Sequence, residues 1–155
     1  MKLANLKEHA EFVPLLAGWH HAQWGELNPQ RTLASRVEAL QRHLSDEPIP
    51  VTFVAIEDGA PIGSASLVER DLATHVHLSP WLASVYVAPA HRRQGIGGQL
   101  VRRIVGEAAA LNVGELFLFT LDQERFYRDL GWKVIEYNSF NGHPITVMMI
   151  EPIRA

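Results

Sequence analysis

The chain has 155 residues, 47% hydrophobic and 20% charged, and 17 acidic against 14 basic side chains leave a net charge of -3. A chain of this size buries about 68–70% of its unfolded surface, so one compact domain over residues 1–155 is expected and a disordered chain is excluded. The absence of cysteine excludes disulfide scaffolds, zinc–thiolate centres and cysteine nucleophiles. No stretch approaches the ~18 apolar residues of a membrane span, and MKLANLKEHAEFVPLL lacks the layout of a secretory signal. A cytoplasmic, reducing setting is expected, with no membrane partner. The mild negative charge also argues against sequence-independent nucleic-acid binding. The visible basic patch is His91-Arg92-Arg93, with Arg102 and Arg103 behind it.

In chain order, Phe12, Leu15, Leu16, Trp19 and His20 or Gln23 recur at helical spacing and predict a helix over residues 9–24, with Pro14 in its first turns. Asn28-Pro29 reads as the cap of a second helix that would bury Leu33, Val37, Leu40 and Leu44 and end near Ser45. Val51–Glu57 is β-branched and apolar on both faces, which suits a central strand. The Asp58-Gly59 turn returns it as a hairpin through Pro61–Glu69. A loop, Arg70–Pro80, leads to a third strand, Trp81–Val87. Beyond it Leu100, Val101, Ile104, Val105, Ala108 and Leu111 mark one face of a long helix, with Asn112 and Gly114 as stop signals. A strand at Glu115–Thr120, a short helix at Gln123–Leu130 closed by Gly131, and strands at Trp132–Tyr137 and Ile145–Ile150 complete the order.

Between the third strand and the long helix lies Arg92-Arg93-Gln94-Gly95-Ile96-Gly97-Gly98. Such a turn either makes a tight connection or presents backbone N–H groups at the positive end of a helix, a site for phosphate. No lysine follows Gly97 or Gly98, so the triphosphate-binding loop pattern fails. Leu100 occupies the third glycine position of the dinucleotide fingerprint. Glu115 could serve as its ribose-binding acid, which keeps a dinucleotide enzyme as a rival, but an antiparallel meander before the turn is the wrong topology.

Val87–Leu100, with Arg92-Arg93-Gln94-Gly95-Ile96-Gly97 at its centre, resembles motif A of the GCN5-related N-acetyltransferases, [RQ]xxGx[GA]. Phe126-Tyr127-Arg128-Asp129-Leu130-Gly131-Trp132 is similar to that family's second signature. The resemblance covers most of Val51–Ile150 in element order. Thr120-Leu121-Asp122-Gln123 and Gln23-Trp24 also resemble the branch that acetylates acidic protein N termini, a looser match used to rank substrates.

The resemblance implies an α+β fold, a mixed and mostly antiparallel seven-strand sheet in three α/β/α layers. It implies acetyl-CoA as cosubstrate, no metal, and an amine acceptor, either a small molecule or a polypeptide N-terminus. By the same resemblance Arg92, Arg93, Gln94, Gly95, Ile96, Gly97 and Gly98 hold the pyrophosphate, largely through main-chain N–H groups. Val85, Tyr86 and Val87 pair with the pantetheine arm, and an N–H near Val87 faces the oxyanion. Tyr127 would protonate the departing sulfur, and Phe126 would anchor its helix. Where many relatives place a glutamate base this chain has Leu82-Ala83-Ser84, so Glu69, Asp71, His75 and His77 are the candidates, with His77 best matched to neutral pH.

Trp24, Glu69 and His77 are the expected acceptor contacts, and Trp19 and Trp81 are expected to pack. An extended segment would set His75 and His77 on one face, with His20-His21 elsewhere, yet the spacing fits no standard zinc pattern. Arg102 and Arg103 could reach the 3′-phosphate of the coenzyme or simply form a solvated face. Monomer and homodimer are both open. A non-catalytic acyl-CoA sensor is the rival from the binding class. A tRNA-acetylating relative would want a basic surface.

Overall fold

A run that is apolar on both faces needs cover on both sides, and in the computed structural model, which describes residues 1–155, Val51–Glu57 is sandwiched in that way. It is strand β2, following β1 (Lys2–Asn5). Next come β3 (Ala60–Val68), β4 (Trp81–Val87), β5 (Leu116–Thr120), β6 (Lys133–Phe140) and β7 (His143–Ile150). The helices are α1 (Val13–Trp24), α2 (Leu33–Arg42), α3 (Ile96–Ala110) and α4 (Glu124–Asp129). All seven strands form one sheet of order β1-β2-β3-β4-β5-β7-β6. Every pairing is antiparallel except β4 with β5, which is parallel. The architecture is the expected mixed, mostly antiparallel seven-strand α+β sheet.

Strand alternation sorts the core into two faces. Leu16 and Ala17 of α1 and Leu40 of α2 pack on Val54 and Ile56 of β2. On the opposite face Leu100, Val101, Ile104 and Ala108 of α3 join Phe53, Ala65, Leu67 and Leu118. A smaller cluster of Leu72, Trp81, Phe117, Ile145 and Val147 fills the junction between β4 and the last three strands.

Two features of β4 shape everything near it. First, β4 and β5 pair at a single rung, Trp81 opposite Phe117, supported by the Phe117 N–H donating to the Pro80 carbonyl at 3.1 Å. Past that rung the two strands share no register. Second, Ser66 faces Ala83 and Ser64 faces Tyr86, so two residues of β4, Ser84 and Val85, stand against one of β3. This is a β-bulge, and Ser84 takes the left-handed φ of 55° that it requires.

Several sequence expectations need correction. The strand at the N-terminus, β1, is not visible in the pattern: four residues offer too short a window for alternation to register. The first helix starts at Val13, not residue 9, after two 3-10 turns at Leu6–Glu8 and Ala10–Phe12. Pro14 sits in the first turn, where its missing N–H costs nothing. The second helix is capped by Thr32 instead of Asn28. Thr32 Oγ1 accepts the Ser35 N–H at 3.0 Å and Ser35 Oγ accepts the Thr32 N–H at 2.9 Å, a reciprocal capping box. Of the expected stripe Leu40 is buried and Val37 and Leu44 pack partly buried beside it, with Arg36 joining that face, whereas Leu33 is exposed and the helix ends at Arg42. Leu111 lies just beyond α3 and is also exposed. His75 is in a short 3-10 turn, Ala73–His75, not in an extended segment. Its Nε2 lies 2.8 Å from Glu136 Oε1, and its ring stacks on His77 at 5.8 Å.

Leu100 is fully buried where α3 crosses the sheet. Leu100→Ala is expected to cost about 2–5 kcal/mol, read as a lower urea midpoint at unchanged slope.

Candidate active site

Because β5 leaves β4 after one rung, one edge of β4 from Leu82 onward has no strand partner. A cavity of about 660 Å³ opens there, walled on one side by Leu82–Val87 and on the other by Leu118–Gln123. An unpaired strand edge offers its N–H and C=O groups to an extended ligand as a further strand would.

The glycine turn closes one end of this cavity. None of the backbone N–H groups from Arg93 to Gly98 donates to a protein acceptor, and the first bond of the helix runs from the Gln99 N–H to the Gly95 carbonyl at 3.2 Å. Six consecutive free donors at the positive end of a 15-residue helix make a cradle for a diphosphate. Gly95 caps the helix at φ 80°, a conformation that strains any residue with a Cβ, and nothing crowds its outer side. Arg92 is folded back, with Nε donating to the Val87 carbonyl at 2.8 Å and its guanidinium over the Tyr86 ring at 5.5 Å.

Next to the cradle stands α4. A Cβ on Gly97 would lie 3.5 Å from the Phe126 ring, so the bare backbone lets α4 come close to the turn. Tyr127 is buried in the core yet reaches the cavity wall. Burial, with the carboxylates of Asp122 and Asp71 adding to it, pushes its phenol well above the ordinary range near 10, so it is a protonated donor at every physiological pH.

Asp71 faces the same cavity from the loop after β3. Burial raises its carboxyl to about 6, and Arg31 opposes that rise. Beyond Asp71 the far end of the cavity is bounded by Trp24, Asn28, Arg31, Arg36 and Phe140. Asn141, in the β6–β7 turn, ties this end down by donating from Nδ2 to the Leu27 carbonyl at 3.0 Å.

Of the residues singled out in the sequence, Val85, Tyr86, Val87, Arg92, Arg93, Gly95, Ile96, Gly97, Gly98, Trp24 and Tyr127 all line this cavity, as do Gln23 and Thr120–Gln123. Gln94, Glu69 and His77 do not. Asp71, and not His77, is therefore the sequence-predicted base candidate that lines the cleft. Arg103 is paired with Glu107 at 2.6 Å and covers the Phe53 ring, away from the cleft. Glu115 is exposed and outside it, which removes the ribose-binding acid that the dinucleotide reading needed.

Sequence reasoning does not pick out Arg31 and Arg36. The signal for Arg36 lies in its i,i+4 relation to Leu40, which places both on one helix face. His20, one of the two alternatives for the inner stripe of the first helix, is the buried one: its Nε2 is 3.1 Å from Ser64 Oγ, and burial, helped by Arg36, lowers it to about 3, so it is neutral.

With this geometry in view, the comparisons with known proteins are direct. A family model described as an acetyltransferase (GNAT) domain matches residues 48–134, more than half of the chain. The chain belongs to that family and is an N-acetyltransferase. A search of curated proteins finds no match. Among solved structures the chain is similar to an aminoglycoside 6′-N-acetyltransferase complexed with coenzyme A, with a TM-score of 0.77 and 16% identity over 99% of this chain and 98% of that one. It is similar to a ribosomal-protein-alanine N-acetyltransferase from Brucella melitensis, with a TM-score of 0.76 and 21% identity over 97% and 99%. It is also similar to yncA from Salmonella typhimurium, solved with its cofactor acetyl-CoA, with a TM-score of 0.70 and 18% identity over 98% and 94%. At these identities the likeness is one of fold. No helix is long and apolar enough to cross a membrane.

A raised aspartate makes stability depend on pH. The fold favours the protonated form of Asp71, so its contribution is full below the unfolded value near 3.9 and is lost as pH rises through about 6. Asp71→Asn is expected to be more stable than the parent above pH 7 by about 2–3 kcal/mol, with the difference vanishing near pH 3. Denaturation curves at the two pH values check this.

Proposed function

We propose that residues 1–155 act as one domain that transfers the acetyl group of acetyl-CoA to a primary amine by direct attack on the thioester. The observation that carries this reading is the cradle of six free N–H groups from Arg93 to Gly98, opening onto an unpaired strand edge with a protonated Tyr127 beside it. Backbone N–H groups of the cradle bind the diphosphate of the coenzyme. The free edge of β4, at Val85–Val87, aligns its pantetheine arm and offers an N–H to the oxyanion. The coenzyme supplies the activated acyl group.

Tyr127 hydrogen-bonds the departing sulfur. With its phenol raised, full proton transfer to a thiolate of pKa ~8.5 is uphill, so the residue works mainly as a donor in the transition state. Asp71, poised at about 6, takes the proton of the attacking amine. An α-amine near 7.7–8.0 is a much easier nucleophile at neutral pH than a lysine near 10.4. A small-molecule amine or a polypeptide N-terminus is therefore the acceptor class. Gln23, Trp24 and the Thr120–Gln123 segment all line the cleft, which supports the acidic-N-terminus branch as a source of acceptors. The cytoplasmic setting and a monomeric or homodimeric state belong to the same proposal.

Acetyl-CoA and CoA are expected to raise the melting temperature while NAD does not. With a competent amine, kcat/KM should rise with pH through about 6, and Asp71→Asn should lower it by about 10²–10⁴. Tyr127→Phe is expected to lower kcat by about 10² with acetyl-CoA stabilisation retained. A protein stabilised by acetyl-CoA that acetylates no amine would favour the sensor instead.

A further inference from the structure

Arg36 is a cation where a cation is expensive. Its side chain sits on the buried face of α2, with the residue only 6% exposed, and it borders the cavity. Its one hydrogen bond runs from Nε to His21 Nδ1 at 3.3 Å, so a neutral imidazole is its partner. None of the chain's ion pairs within 4.0 Å includes Arg36 or Arg31. The terminal nitrogens of Arg36 have no protein acceptor. A mostly buried cation is normally paired, and here the terminal nitrogens, which are not fully buried, reach the cavity without a protein partner.

The surroundings do not repair this. His20 is neutral, and burial, with Arg31 adding a second positive charge, holds Arg36 below the usual arginine range. Arg36, Arg31, Asp71 and Tyr127 line the same cavity as the glycine turn, so the unpaired cation shares the cleft in which the thioester would lie.

We infer that Arg36, with Arg31 beside it, is a carboxylate-binding subsite, so that the amine acetylated here carries a carboxylate group a short distance from its nitrogen. The inference rests on the transferase reading above. The planar fork of a guanidinium pairs with a carboxylate through two parallel hydrogen bonds. A phosphate monoester suits the site less, because Asp71 and Asp122 border the same cavity and oppose a second negative charge. The same arginines repel polycationic amines.

The test is a panel of amines: free amino acids, short peptides with an acidic residue at the first or second position, the uncharged amide of each, and spermidine. The free amino acids and the peptides distinguish a metabolite from a chain terminus. For the best acceptor, kcat/KM for the acid is expected to exceed that for its amide by about 10- to 100-fold, mostly through KM, with spermidine poor. Arg36→Met should erase most of that ratio while its melting-temperature rise with acetyl-CoA stays that of the parent. Should the variant fail to fold, the parent alone decides: succinate, a carboxylate without an amine, should inhibit competitively against the amine and not against acetyl-CoA. Equal rates on acid and amide, or a preference for spermidine, would overturn the subsite and leave the transferase reading intact. No transfer to any amine and no stabilisation by acetyl-CoA would overturn both.

Discussion

The single rung between Trp81 and Phe117 is the constraint on which the site depends. A parallel pair that stayed in register along its length would seal β4 against β5 and leave no cleft. A pair with no rung at all would split the sheet between two antiparallel halves. Trp81 is fully buried and packs on Phe117 with ring centroids 5.9 Å apart, so the join is pinned by aromatic area where it exists. Beyond the join the strands part into an opening whose walls are strand edges. A strand edge carries regularly spaced donors and acceptors, and no side-chain chemistry is needed to read an extended thioester arm.

This explains why the half of the cleft proposed to hold the coenzyme was legible in the sequence and the half proposed to hold the acceptor was not. The cradle consists of backbone N–H groups, and the glycines that expose them are rare enough residue types to stand out at Gly95, Gly97 and Gly98. The Phe126-Tyr127 segment stands out for the same reason. The acceptor half is assembled from the α1–α2 connection, the loop bearing Asp71 and the β6–β7 turn, which meet only in three dimensions. Arg36 belongs to a residue type that almost always faces water, so an apolar stripe read from Val37, Leu40 and Leu44 leaves it out although it shares the face of Leu40. Strand β1 escaped notice because Lys2–Asn5 holds too few residues to display a period.

Charge is laid out along the cleft with an evident logic. Neutral donors sit at the glycine turn, where the ligand brings its own negative charge. A phenol held protonated and a carboxyl raised to about 6 line the stretch where the proposed transfer would move protons. The imidazoles of His20 and His43 are both kept uncharged, at about 3 and about 4, by burial next to arginines. They serve instead as hydrogen-bonding struts, His20 on Ser64 and His43 on the Thr52–Ser66 pair, fastening α1 and the end of α2 to the sheet.

The extra residue in β4 has a further effect, on phase. Upstream of Ser84, Leu82 looks toward α3 and Ala83 pairs on the opposite face with Ser66; downstream, Val85 and Val87 look toward α3 and Tyr86 stacks on Trp19 of α1 at 5.2 Å. Straightening the bulge with Ser84 kept in the strand would shift the downstream pleat by half a period. Tyr86 would then swing into the space under the long helix while both valines turned toward the first helix. The bulge thus absorbs one extra residue and keeps the half of the strand that anchors the sheet in phase with the half that lines the cleft.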